Sequence, residues 1–416
     1  MENQKVMNRG LVVVGAILIQ LALGAIYAWS VFTPSLVADG WAKSETQWVF
    51  AIGLASFAVF MVFAGKKLAS WGPQRLAIIG GIILGVGYFL AGLLGGTDFW
   101  ALLLLIGLVG GAGIGFAYVV PIAVGMRWFP DKKGMITGLA VAGFGFGALL
   151  WVKLAGAWGH LIANMGLSNT FMAYGIAFAV MVIIGGLWMK FPPAGWKPAG
   201  YEETQITPGA VKKDEREFSS TEMLGKVQFY LIFLTFVFSA GAGLMSIGLM
   251  KLYPMEALQA NGLSELEASA IAGTAMAVFF SLANGLGRIL WGMLSDKLGR
   301  KTSIITMTAI QGIVVILFTF MAGNEYLLYL GATLIGFNFG GNFALFPTIT
   351  ADTFGSKNVG QNYPWVFLAY GFGGIIGPIL GGKLGDIGNF PLAFTIAGIA
   401  VLVGTVLTIM VKPAKK

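Results

Sequence analysis

Twelve long apolar stretches constrain the fold of this 416-residue chain more than any other feature. Each is about 20 residues or longer, the length that a helix needs to cross the hydrocarbon core of a bilayer. They lie near positions 10–33, 46–65, 76–96, 100–126, 135–160, 168–190, 227–250, 267–294, 303–322, 327–351, 361–382 and 390–411. Segments in lipid must satisfy their backbone polar groups internally, so each stretch is predicted to form a helix. We therefore expect an all-α membrane protein with twelve transmembrane helices, and the composition, 57% hydrophobic and 11% charged, agrees.

The basic residues predict the orientation of the chain, because cytoplasmic loops are enriched in Lys and Arg. If the N-terminus is cytoplasmic, the external segments contain only Lys43, Lys153, Lys251 and Lys383, and Arg288 lies inside a span. All other Lys and Arg residues then fall on the cytoplasmic side, and both termini are cytoplasmic. Topology accounts for the net charge of +8, so no nucleic-acid partner is expected.

One polar segment divides the chain into two halves. Residues 192–226 are rich in Pro, Gly and charge, which predicts a cytoplasmic linker between an N-terminal six-helix bundle (1–191) and a C-terminal six-helix bundle (227–416). Gly65 and Gly72 bracket the loop after the second stretch, and Gly292 and Gly299 bracket the loop after the eighth at the same spacing. This internal repeat predicts that the two bundles are pseudo-symmetric.

Arg288 is the only charged residue in the apolar run from Ala268 to Leu294. Arginine does not lose its proton in proteins, and a charge within a span normally faces the bundle interior and a partner. No Asp or Glu in the apolar stretches is available as that partner. Asn284 lies four positions earlier on the same helical face, where it can orient the guanidinium or contact a substrate oxygen. The sequence predicts that an anionic substrate pairs with Arg288; the alternative is a structural guanidinium bound to backbone carbonyls.

The loop from Gly292 to Lys301, GMLSDKLGRK, resembles the signature loop of the major facilitator superfamily. In that superfamily two six-helix halves rock about a substrate site near the membrane midplane, and we expect the same fold here. The resemblance implies gating roles for Asp296 and Arg300, and Asp352, at the inner end of the tenth span, is expected to join them. The first-half copy of the loop lacks the Asp.

A narrower resemblance lies between the fourth and fifth spans. The sequence RWFPDKKG at 127–134, followed by GLAVAG at 138–143, resembles the helix 4–5 signature of the monocarboxylate transporters and of the bacterial oxalate/formate antiporter. The acidic-Gly motif that precedes the first helix of animal monocarboxylate transporters is absent, which favours the bacterial branch. The resemblance implies a secondary active transporter of small carboxylates in the plasma (inner) membrane.

The same resemblance implies a set of aromatic residues around the substrate. Tyr118 precedes Arg127 by nine residues, as a substrate-contacting Tyr does in the antiporter family, and its hydroxyl could donate to a carboxylate. The other positions that match cavity-lining aromatic residues are Tyr27, Phe144, Phe339, Phe343 and Phe367. Packing between helices is the alternative role for each of them.

Tyr370 is a departure from the oxalate antiporter, which carries a Lys at the position that aligns through Asn362, Tyr363 and Ala369. Only one buried cation, Arg288, is then expected in the site. It balances one carboxylate, while a second carboxylate would be unpaired in an apolar cavity at considerable cost. Charge counting therefore predicts a monocarboxylate such as L-lactate or a pyruvate-like acid. The phenol of Tyr370 either contacts a substrate hydroxyl or packs.

The residues leave the coupling open. Family resemblance favours proton symport by alternating access, yet Asn284 replaces the Asp that is thought to carry the proton in animal monocarboxylate transporters. Exchange of one carboxylate for another needs no proton carrier and is the alternative. A carboxylate-sensing membrane receptor would need the same Arg288, together with an output domain.

We expect no enzyme, because the spans contain no catalytic triad, metal-ligand cluster or paired carboxylates. No cofactor or metal is expected, and the chain has no Cys. The expected partners are a small carboxylate, a proton and the lipid bilayer, and the protein is expected to be a monomer.

Overall fold

The structure is a computed structural model that describes residues 7–129, 133–193, 196, 198, 217–355, 359–412 and 414. These residues form helices and contain no β-strand, which confirms the predicted all-α fold. The long helices are α1 (Arg9–Ala38), α2 (Lys43–Trp71), α3 (Pro73–Leu93), α4 (99–128), α5 (Lys133–Ala155), α6 (Leu161–Leu187), α7 (Val227–Leu249), α8 (Glu265–Leu298), α9 (Arg300–Met321), α10 (Glu325–Phe354), α11 (Val359–Asp386) and α12 (Phe390–Met410). Two short helices, Ser220–Leu224 and Leu252–Ala260, flank α7.

Each predicted span coincides with one of the long helices. By length and composition, eleven helices of the described residues qualify as membrane spans, and α10 falls outside that group although it has 30 residues. Its polar residues Asn338 and Asn342 lower its hydropathy and are buried inside the protein. A helix that faces other helices rather than lipid can carry such residues.

Three of the helices that build the interior are locally irregular. Helix α1 narrows to a 3₁₀-helix at Gly24–Val31, the stretch that carries Tyr27. Helices α4 and α8 contain π-helical stretches at Leu103–Gly110 and Ala275–Phe280. A change of helical pitch rotates the following side chains relative to a regular helix. In α8 that rotation comes one turn before Asn284, so it helps to set the direction in which Asn284 and Arg288 point.

Glycine contacts hold α8 close to its neighbours α5 and α10. A Cβ on Gly145 of α5 would lie 2.8 Å from the backbone nitrogen of Gly285 of α8, and a Cβ on Gly340 of α10 would lie 2.2 Å from the carbonyl oxygen of Asn284. Any larger residue at these positions would push the helices apart. The close approach brings the middle of α8 against the backbone of α5.

The predicted bundles meet along two long helix pairs, α2 with α11 and α5 with α8. The boundaries at 191 and 227 stay a prediction, because residues 194–195, 197 and 199–216 of the linker lie outside the described residues. Pro130, Asp131 and Lys132 of the signature between α4 and α5 also lie outside the described residues.

Candidate substrate site

Arg288 lies in the middle of α8, and its guanidinium is bound by the protein on two of its three nitrogens. Nε donates a hydrogen bond to Asn284 Oδ1 at 3.0 Å, as the four-residue spacing predicts. Nη1 donates to the carbonyl oxygen of Val141 on α5, also at 3.0 Å. Asn284 therefore orients the guanidinium, and the backbone carbonyl contact of the structural alternative is present; pairing with an anionic substrate stays a prediction.

Two hydrogen-bond donors in this site have no partner among the described residues. They are Arg288 Nη2 and Asn284 Nδ2, and both residues have 0% exposed surface. The bond from Arg288 Nε to Asn284 Oδ1 fixes the orientation of the Asn amide, so its nitrogen points away from Arg288 as a free donor. An unmade hydrogen bond of a buried donor is costly, more so for a charged group. The pair is chemically suited to an oxyanion.

Aromatic rings cover the faces of the guanidinium. Its carbon lies 4.0 Å from the ring centroid of Phe343 and 5.5 Å from that of Phe144. Cation–π contacts of this kind stabilise a desolvated cation by about 2 kcal/mol. The described residues place no carboxylate beside Arg288, so its compensation comes from carbonyl, amide and π contacts and from the hydroxyl groups of Tyr27 and Tyr118.

The predicted aromatic residues form one continuous cluster beside Arg288. Tyr27 packs edge-on against Phe144 and Phe339, and Phe367 stacks with both Tyr118 and Tyr370. The hydroxyl groups of Tyr27 on α1 and Tyr370 on α11 lie 3.1 Å apart and share a hydrogen bond. All nine residues proposed for the site from the sequence are thus brought together.

Sequence reasoning missed two members of the site. Phe57 of α2 contacts Tyr118, Phe367 and Tyr370 with ring centroids 5.0, 5.4 and 5.6 Å apart. Nothing in the sequence separates it from the many Phe residues that only pack. The second is the carbonyl of Val141, a backbone atom that carries no residue-type signal.

The site is closed in this conformation. Phe339, Phe367 and Tyr370 have 0% exposed surface, as Arg288 does, so side chains fill the space around the guanidinium. A carboxylate can reach the two free donors only after helices or aromatic side chains move. Such movement is what alternating access requires.

Contacts between the predicted halves close the end of the bundle that carries Lys43, here called the predicted external end. Lys43 Nζ lies 2.5 Å from Glu256 Oε1 and donates to the carbonyl oxygen of Gly385 at 3.3 Å. Gln47 Nε2 donates to the carbonyl oxygen of Gly248 at 3.3 Å. These side chains were not predicted as gating residues. They seal the site from that side.

The three predicted gating residues meet at the opposite end, here called the predicted cytoplasmic end. Arg300 lies 2.6 Å from Asp296 and 3.6 Å from Asp352, and its guanidinium also donates to Ser295 Oγ. The Asp side chains are 62% and 64% exposed, so water screens both ion pairs. The cluster ties α8, α9 and α10 together at that end.

The comparisons with known proteins agree with this architecture. The sequence model described as Major Facilitator Superfamily matches residues 12–279 and 231–416, which together span nearly the whole chain. The chain belongs to the major facilitator superfamily. As a superfamily member with many apolar helices, it is a multi-pass membrane transporter.

Relatives within the superfamily cover most of the chain. An uncharacterized MFS-type transporter of Escherichia coli (strain K12), YhjX, is 30% identical over 88% of this chain and 86% of its own length. The oxalate:formate antiporter of Oxalobacter formigenes is 26% identical over 98% of this chain and 92% of its own. Apicoplast pyruvate carrier 1 of Toxoplasma gondii is 26% identical over 80% of this chain and 68% of its own. Monocarboxylate transporter 14 of Homo sapiens is 21% identical over 89% of this chain and 83% of its own length.

Proposed function

We propose that this transporter carries short monocarboxylates such as L-lactate and pyruvate-like acids. The observation that carries the proposal is the presence of two unpartnered donors, Arg288 Nη2 and Asn284 Nδ2, on buried side chains one helical turn apart on α8. A carboxylate presents two oxygens that accept from such donors, and it neutralises the buried charge. The names of three relatives, which refer to oxalate and formate, to pyruvate and to monocarboxylates, support this substrate class.

The charge of the site supports one carboxylate rather than two. Among the described residues, Arg288 is the only charged side chain that is buried. The position where a second cation is expected in an oxalate carrier holds Tyr370, whose hydroxyl is bound to Tyr27. A second carboxylate would face Phe and Tyr rings without a counter-charge. The aromatic cluster suits a short alkyl tail instead.

The proposed cycle is alternating access about Arg288. The contacts of Lys43 and Gln47 break when the site opens at the predicted external end, and the Arg300 cluster rearranges when it opens at the other. The acid enters, its carboxylate takes the two free donors, and the aromatic side chains close on its tail. The two halves then rock and release the acid on the opposite side.

For the coupling, we propose proton symport as the first candidate and carboxylate exchange as the second. Return of the carrier without substrate requires that Arg288 be compensated by the protein itself, and Asn284, Val141 and Phe343 supply such contacts. The described residues include no buried Asp, Glu or His that could carry the proton, so the carboxylate itself would take it as Arg288 releases it. Exchange is favoured by the antiporter match, which extends over 98% of the chain.

Uptake of labelled L-lactate into proteoliposomes tests the proposal. The vesicles contain the purified protein and no carboxylate, and an inward proton gradient is imposed. Symport predicts uptake that a protonophore abolishes, whereas an exchanger takes up label only into vesicles preloaded with a carboxylate. Saturable binding without uptake under either condition would contradict transport and favour a carboxylate-sensing receptor.

A further inference from the structure

A basic cleft lies at the predicted cytoplasmic end, far along the helices from the substrate site. It has a volume of about 240 Å³ and lies between the α2–α3 turn and the end of α6. Its lining includes Trp71, Gln74, Arg75, Lys190 and Phe191. Gln74 Nε2 donates to the carbonyl oxygen of Leu187 at 3.3 Å and links the two walls.

The described residues make the cleft positively charged and contribute no counter-charge to its lining. Arg75 and Lys190 are exposed, no lining residue is acidic, and neither cation is paired with a carboxylate of the described residues. The guanidinium carbon of Arg127 lies 3.8 Å from the ring centroid of Phe191, which adds a third cation behind the lining. Two or more unpaired cations around one cleft attract a phosphate group.

The corresponding turn in the second half is different. There Arg300 pairs with Asp296 and Asp352, and Lys301 Nζ donates to the carbonyl oxygens of Ile409 and Val411 at 2.7 and 2.8 Å. Arg300 and Lys301 of that turn are thus bound within the protein. In the first-half turn, Lys66 and Lys67 lie over the rings of Trp365 and Trp71, whereas Arg75 has no carboxylate partner among the described residues.

The surroundings of the cleft are those of a membrane interface. Trp71 is 37% exposed at its rim, and tryptophans at such positions sit at the level of lipid headgroups. Ile184 and Leu187, in the last turns of α6, expose apolar side chains beside the cleft. A ligand that bears a phosphate and acyl chains fits both features, whereas a free phosphate uses only the cations.

We propose that this cleft binds the headgroup of an anionic phospholipid, with the phosphate held by Arg75 and Lys190 and an acyl chain along Ile184 and Leu187. Basic pockets between helices on the cytoplasmic side of membrane proteins suit such headgroups. The site is independent of the substrate proposed for Arg288.

Native mass spectrometry of the full-length protein tests the proposal, with phosphatidylglycerol as the probe and phosphatidylcholine as the neutral competitor. The wild type is expected to retain phosphatidylglycerol in preference. The Arg75→Gln/Lys190→Gln double variant is expected to lose about tenfold or more of that affinity, because each basic residue near an anionic lipid contributes appreciably. Lys297→Gln, which removes an exposed cation outside the cleft at the same end, is the matched control and should keep the preference.

Two outcomes would overturn the proposal. The first is equal retention of phosphatidylglycerol by the wild type and the double variant; the single variants Arg75→Gln and Lys190→Gln replace the double variant if it fails to fold. The second is displacement of the lipid from the wild type by an excess of inorganic phosphate, which would identify a site for free phosphate.

Discussion

Arg288 and Arg300 lie on neighbouring helices and experience opposite environments. Arg300 is at the predicted cytoplasmic end, where two exposed aspartates pair with it and water reaches the cluster. Arg288 is in the middle of α8 with 0% exposed surface, and the described residues pair no carboxylate with it. The same side chain can therefore brace a wet end of the bundle or present a charge without an ion partner in its interior.

This contrast determines which of the two charges is available for a ligand. An exposed ion pair contributes only about 0–1 kcal/mol, since water screens it and the side chains lose freedom when they pair. A buried charge without an ion partner is costly, so an arriving anion gains far more at Arg288 than at Arg300. The predictions below change each member of this comparison in turn.

Arg288→Ala is expected to produce the largest effect. Loss of one partner from a buried, hydrogen-bonded charge pair costs about 2–5 kcal/mol, so monocarboxylate uptake should fall by more than about 30-fold. Proteoliposome uptake at matched protein content measures it. Arg288→Lys is the control, because it keeps the charge but loses the fork of donors and should retain partial activity. Uptake by Arg288→Ala at the wild-type rate would refute the role of this charge.

Tyr370→Lys adds a second cation to the aromatic cluster, where Phe343 contacts both Tyr370 and Arg288. A dicarboxylate would then find two counter-charges, so the preference for L-lactate over oxalate should shift toward oxalate by about tenfold or more. Competition of both acids against labelled L-lactate measures the shift, and Tyr370→Phe, which removes only the hydroxyl, serves as the control. An unchanged ratio in the Lys variant would argue against charge counting as the basis of selectivity.

Asn284→Ala removes the acceptor that orients Arg288 and one of the two free donors. A hydrogen bond to a charged group contributes about 1.5–3 kcal/mol, so KM for the carboxylate should rise by about tenfold or more. Asn338→Ala is the matched control, because Asn338 is also a buried Asn but donates to Leu334 of its own helix. Equal effects of the two substitutions would mean that Asn284 acts only in packing.

Arg300→Gln is expected to have the smallest effect of the series. Its partners are mostly exposed, so the two ion pairs together contribute about 1 kcal/mol or less, and the uptake rate should change by less than about fivefold. Raising the ionic strength should reduce the difference from wild type further. Lys297→Gln is the control, because it removes a cation at the same end that has no ion pair in the described residues. A loss as large as that of Arg288→Ala would contradict the contrast between the two arginines.

The sequence was sufficient for the fold because hydrophobic length determines a membrane helix. Even α10, whose Asn338 and Asn342 lower its hydropathy, was recognised from the length of its apolar run. The 3₁₀ stretch at Gly24–Val31 and the π stretch at Ala275–Phe280 could not be predicted, since hydropathy is insensitive to helical pitch.

The site was predictable where a residue type carries the signal. A lone Arg in an apolar run must be compensated, and an Asn four positions away must share its face, so Arg288 and Asn284 followed from the sequence. The carbonyl of Val141 and the ring of Phe57 were missed, because one is a backbone atom and the other is one Phe among 32. The contact of the Val141 carbonyl depends on the close packing of α5 against α8 at Gly145 and Gly285, which only the structure shows.

The most direct test of the central claim compares a carboxylate with its neutral analogue. Unlabelled L-lactate and L-lactamide have nearly the same shape and differ in charge. Each competes against labelled L-lactate for binding to the wild type and to Arg288→Ala. Acetate, pyruvate and their amides are compared in the same way. The account predicts a preference of more than about 30-fold for the acid in the wild type, from the buried ion pair, and its loss in the variant. Equal competition by acid and amide in the wild type would show that Arg288 does not pair with the substrate carboxylate.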